Sequence, residues 1–104
     1  MGAAALLVGC TELVPRVTPE LVGKATARDP AANDATLTAG REFYLTRCGS
    51  CHALIAPTAY DPDEWRSWMH SMGPKAHLAK PQEAQVLAYV LAARDVTLAP
   101  AGKN

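Results

Sequence analysis

Two cysteines three positions apart, followed at once by a histidine, constrain this chain more than any other feature: Cys48-Gly49-Ser50-Cys51-His52. The constraint is one of size as well as chemistry. The chain has 104 residues, and its first third keeps no sustained apolar period. What remains is a domain of about 60–70 residues, which buries only about 60% of its unfolded surface and often needs a crosslink, metal or cofactor. Such a domain is expected to form around whatever the two thiols and the imidazole hold.

The pattern around the motif is helical throughout. Thr38 can cap a helix through Arg47, with Gly40, Phe43 and Tyr44 at i, i+3 and i+4 on one face. Ile55 to Tyr60 reads as a proline loop. Asp61-Pro62-Asp63-Glu64 is a helix start, with Asp61 as cap, Pro62 first and Glu64 completing a capping box. Trp65, Trp68, Met69 and Met72 then fall at i, i+3, i+4 and i+7, one apolar stripe that Gly73-Pro74 is expected to end. Pro81 opens a last helix through about Arg94, with Val86, Tyr89, Val90 and Ala93 on one face and Leu87 and Leu91 beside them. No strand pattern and no internal repeat is present, so the expected class is all-α, with about three helices.

Three chemistries use a C-x-x-C. A dithiol redox motif wants a βαβ context, and none is in the pattern. A structural zinc site wants four ligands, and neither a second C-x-x-C nor paired histidines follow at a suitable distance. The third is covalent haem attachment, for which C-x-x-C-H is the signature. Two thiols at the end of a helical turn can reach two vinyl groups on one porphyrin edge. The adjacent histidine then turns back beneath the ring to the iron.

From Leu37 to about Asp95 the chain resembles the class I cytochrome c family, in particular its small bacterial monohaem members. The residues carrying the resemblance are Gly40 and Tyr44 before the motif, the motif itself, Pro57 after it, and Tyr89-Val90-Leu91 near the C-terminus. The resemblance implies a cytochrome c-like fold around one covalent haem c, held by Cys48 and Cys51 with His52 as axial ligand. It also implies a crossing of the first and last helices at Gly40, and a Pro57 carbonyl that accepts from the Nδ1–H of His52. The spacing of Trp65 and Met72 looks like the arrangement of some small bacterial members, which makes Met72 the expected second iron ligand. Met69 is its nearest rival, and His70, His77 or an open sixth site are the others. Trp65 is a candidate donor to a haem propionate, with Tyr60 behind it, whereas Arg41 and Arg47 are expected to be ordinary surface arginines. The function implied is electron transfer rather than catalysis, with redox proteins as donor and acceptor. A five-coordinate haem sensor or small-ligand binder is one alternative, and an electron-transfer subunit of a larger oxidoreductase is another.

The first nine residues, MGAAALLVG, are small and apolar and run straight into Cys10. They are too short to cross a bilayer, which takes about 20 apolar residues. Leu7-Val8-Gly9-Cys10 resembles the bacterial lipobox, so residues 1–9 are expected to be a signal peptide and Cys10 the lipid attachment site of a periplasmic lipoprotein. A free cysteine after an apolar N-terminus is the plainer alternative. Residues 10–36 are expected to be a mostly irregular tether, broken by Pro15, Pro19 and Pro30. Within it Thr18-Pro19 could cap one short helical turn. Residues 37–98 are the expected domain and 99–104 a frayed tail. Ten basic and ten acidic residues cancel. Nothing there points to nucleic acid, and partner docking is expected to be mainly apolar.

Overall fold

The structure, a computed structural model, describes residues 13–50 and 53–99. Cys10, Cys51, His52, the expected signal segment and the tail beyond Ala99 lie outside the described residues. Among the described residues the chain forms four α-helices and no strand, so the all-α class holds with one helix more than expected. The helices are α1 (Pro19–Arg28), α2 (Asp34–Phe43), α3 (Pro62–Lys75) and α4 (Lys80–Leu98). A π-helical turn, Tyr44–Cys48, extends α2, and a single 3-10 turn, Pro57–Ala59, precedes α3.

The extra helix comes from the segment expected to be a tether, and that expectation is corrected. Thr18 caps α1 by accepting from the Leu21 amide at 3.2 Å, and Pro19 takes the first helical position. Leu21 and Ala25, one turn apart, are both buried against α4. At the far end Arg28 makes a two-pronged ion pair with Asp95, at 2.7 and 2.9 Å. Upstream, the chain is already fixed at Val14 and Pro15. Their carbonyls accept from the Arg41 guanidinium at 3.1 and 3.0 Å, and the Tyr89 hydroxyl donates to the Pro15 carbonyl at 2.5 Å. Two apolar residues at i and i+4 suffice here because α4 supplies the rest of the interface. A search for sustained periodicity passes over so short a stripe.

The second helix also begins earlier than expected. Asn33 is its cap: the Asn33 side chain accepts from the Thr36 amide at 2.9 Å, and the Thr36 hydroxyl accepts from the Asn33 amide at 3.2 Å. Thr38 therefore lies inside the helix, its hydroxyl donating to Asp34 at 3.2 Å. The third helix starts where the sequence places it. Asp61 and Glu64 form the reciprocal capping box at 2.8 and 2.9 Å. Its end differs, because Gly73 and Pro74 are absorbed into the last turn. The stop comes at His77, which adopts a left-handed conformation, φ 61°. Leu78 donates to Gly73 and His77 to Pro74, both at 3.0 Å, a Schellman closure.

The fourth helix runs four residues beyond the expected end and is the centre of the fold. Val86, Tyr89, Val90, Ala92 and Ala93 are fully buried, because α1, α2 and α3 each pack on it. The crossing of α2 over α4 forms at Gly40. A Cβ there would run into the backbone carbonyl of Gln85 and lie 3.1 Å from the Tyr89 Cβ. The absent side chain is what lets the two backbones meet.

Candidate cofactor site

The crossing of α2 and α4 directs the π-helical turn toward α3, and between them lies a cavity of about 300 Å3. That volume is at the lower end of the roughly 300–1,000 Å3 range of ligand pockets. Tyr44, Arg47 and Cys48 line it from the π-helical turn, and Leu54, Ile55 and Tyr60 from the following loop. All four members of the α3 stripe, Trp65, Trp68, Met69 and Met72, line it as well. Ala76 and Leu78 close the end near the α3 terminus. The lining is almost wholly apolar, and its charged members, Arg47 and Lys75, are both basic.

Cys48 reaches this wall because of local geometry. A π-turn carries one more residue per hydrogen-bonded loop than an α-turn, and such turns recur at functional sites. It brings Tyr44 and Cys48, the first and last residues of the turn, both onto the cavity. Gly49 then allows a close return. A Cβ there would stand 2.7 Å from the Leu45 carbonyl oxygen and 3.3 Å from two Leu54 side-chain carbons. The glycine inside the C-x-x-C thus lets the loop fold back onto its own helix.

Two buried donors tie the far side of the loop down. The Tyr44 hydroxyl donates to the Ile55 carbonyl. Burial foremost, and then negative charge on the neighbouring Cys48 sulfur, push the Tyr44 phenol well above its ordinary value of 10. The Trp65 indole N–H donates to the Pro57 carbonyl at 2.8 Å. Trp65 has only that one donor, so its expected bond to a propionate is replaced by a bond that holds Pro57. Tyr44 meets Trp65 edge-on with centroids 6.3 Å apart, and Tyr60 meets Trp65 the same way at 5.3 Å.

A scan of protein-family models, a search of curated proteins and a search of solved structures each return no match to this chain.

Met69 is buried and Met72 half-buried, and both line the cavity. His70 and His77 are exposed, and neither lines it. Among the described residues no cluster of three or more His, Cys, Asp or Glu is placed to hold a metal ion. Arg41 and Arg47 bond backbone carbonyls. Arg47 donates to Ala76 and His77 at 3.2 and 2.9 Å, and so caps the C-terminus of α3 from the cavity side. Leu54, Ile55 and Leu78 are walls that sequence reasoning did not single out. They sit in loops, where apolar residues have no period to betray a shared face.

Proposed function

We propose that this protein is a cytochrome c-type electron carrier with one covalent haem, attached through Cys48 and Cys51 and ligated by His52 and Met72. The observation that carries the reading is the company Cys48 keeps. The first thiol of a C-x-x-C-H sequence stands in the wall of an apolar cavity that two methionines of a neighbouring helix also line. The lining suits the group. Aromatic and aliphatic walls fit a flat apolar ring, and basic Arg47 and Lys75 fit its acidic substituents. When bound, the haem supplies a one-electron iron couple whose potential follows its axial ligands and burial.

The chain's own residues do the holding and the tuning. Cys48 and Cys51 would form the thioethers, so the group cannot leave a small domain. His52 and Met72 would both ligate the iron, leaving no open site on it for a substrate. Pro57 keeps a second carbonyl lone pair beyond the one Trp65 uses, available to the Nδ1–H of His52. Trp65 thereby positions the residue that orients the histidine. Trp68, 45% exposed at the cavity, offers an apolar rim for weak, transient docking of redox partners. Cys10 would carry the lipid that holds the protein at a bacterial membrane facing the periplasm.

The decisive experiment is covalent retention. The full chain, made in a host able to attach haem to exported proteins, should keep one haem after denaturation and acid–acetone extraction. Cys48→Ala with Cys51→Ala should lose it. A chain that matures with both thiols unmodified defeats the proposal. In the loaded protein, Met72→Leu should abolish the weak long-wavelength band of methionine–iron ligation, and Met69→Leu should keep it. The reverse result moves the ligand to Met69.

A further inference from the structure

We propose that residues 13–16 form a lipid-facing surface that seats the domain directly on the membrane in one orientation, in place of a domain swinging on a long tether. The inference rests on the reading of Cys10 as the lipid-bearing residue and adds to it a consequence of how the chain is fixed immediately downstream.

The first point is distance. Val14 belongs to the core at 7% exposure. Its carbonyl and that of Pro15 are held by the planar guanidinium of Arg41, and Pro15 also by the Tyr89 hydroxyl. From Cys10 to Val14 there are four residue steps, at most about 14 Å when fully extended. The radius of gyration is 13.9 Å. The leash is thus no longer than about one radius of gyration, and the surface around Val14 cannot leave the neighbourhood of the headgroups.

The second point is chemistry. Leu13, 50% exposed, and Arg16, also exposed, flank the two buried residues. An outward apolar side chain beside an outward cation suits the interface between acyl chains and anionic headgroups. The third point is separation from the cavity. No residue from 13 to 28 lines it. Tyr89 lies between, with its ring beside Tyr44 at 6.5 Å between centroids and its hydroxyl on Pro15. Membrane contact and cavity access therefore use different parts of the molecule.

The test uses the full, matured chain in vesicles of phosphatidylethanolamine and phosphatidylglycerol. Lipidation and haem attachment block the native thiols, so a nitroxide can be placed at L13C, where the label is itself apolar and Arg16 is kept, or at S67C, beside Trp68. Relaxation by membrane-dissolved oxygen, relative to a water-soluble nickel chelate, should be several-fold stronger at L13C than at S67C. A Gly-Ser insertion of a dozen residues between Glu12 and Leu13 should erase that contrast while membrane partition persists. Equal ratios at the two sites, on a chain whose mass shows the acyl groups, overturn the seating alone. A chain with no acyl mass on Cys10, still partitioning like C10S, overturns the anchor and the seating together.

Discussion

Gly40 and His77 are two positions where the backbone makes opposite demands. At Gly40 any side chain meets the Gln85 carbonyl, which is helical backbone and cannot rotate aside. Gly40→Ala should therefore cost about 3 kcal/mol, the upper range for overpacking, despite alanine's better helix propensity. Urea unfolding measures it, and a stabilised variant would show that α2 and α4 are not in this contact. His77 has the reverse problem, a Cβ in the left-handed region. His77→Gly removes a strain of about 1–2 kcal/mol and adds about 0.4–1 kcal/mol of unfolded-chain entropy. The net expectation is a small gain in urea midpoint, since the Schellman hydrogen bonds are made by backbone and survive. Trp65→Phe keeps most of the ring but leaves the Pro57 carbonyl without its buried donor. It should cost about 1–3 kcal/mol in the same assay. In the haem-loaded protein it should also disturb the histidine-side spectrum more than the methionine-side band.

At the scale of elements, α1 is the sharpest departure from expectation, and its docking can be tested directly. Leu21 is fully buried whereas Leu98 is 54% exposed. Leu21→Ala should destabilise the whole domain by about 2–5 kcal/mol, while Leu98→Ala stays within about 0.5 kcal/mol. If both are silent, α1 is a tether after all. Helix starts were legible where a proline at the first helical position follows the cap. Thr18-Pro19 and Asp61-Pro62-Asp63-Glu64 each contain their own cap and first turn. Helix ends and pairings were less so. Gly73-Pro74 looks like a stop, but the helix runs one residue past it, and Arg47 from the π-helical turn bonds the carbonyls of Ala76 and His77 beyond its end. Asn33 was hidden by a flank, RDPAAND, that reads as linker until Thr36 is seen to answer it.

Across the whole molecule, Tyr44 links the fold to pH. It bonds the loop after the motif, packs on Trp65 and Tyr89, and lines the cavity. Its phenol is raised in the folded state, chiefly by burial. The unfolded chain loses this proton near pH 10 and the folded chain keeps it, so the unfolded state binds fewer protons above that pH. Stability should therefore be fully present below pH 10 and fall as pH rises beyond it. One such group contributes at most about 1.4 kcal/mol per pH unit. Denaturant midpoints from pH 8 to 11 read the slope, and Tyr44→Phe should flatten the part that belongs to this residue.

The cavity divides what local chain order could determine from what it could not. Trp65, Trp68, Met69 and Met72 share one side of α3 because the helical repeat puts them there, and that much followed from spacing in the sequence. The all-α class was likewise readable, since it depends on period, whereas the crossing at Gly40 was expected only from the family resemblance. That the stripe faces Cys48, and that Trp65 gives its N–H to Pro57, depended on how separate segments meet. The same holds for Arg41 and Tyr89, which bind Val14 and Pro15 from sites 26 and more residues away. Such long-range hydrogen bonds leave no periodic trace, so only the packed structure turned a stretch that reads as tether into part of the domain.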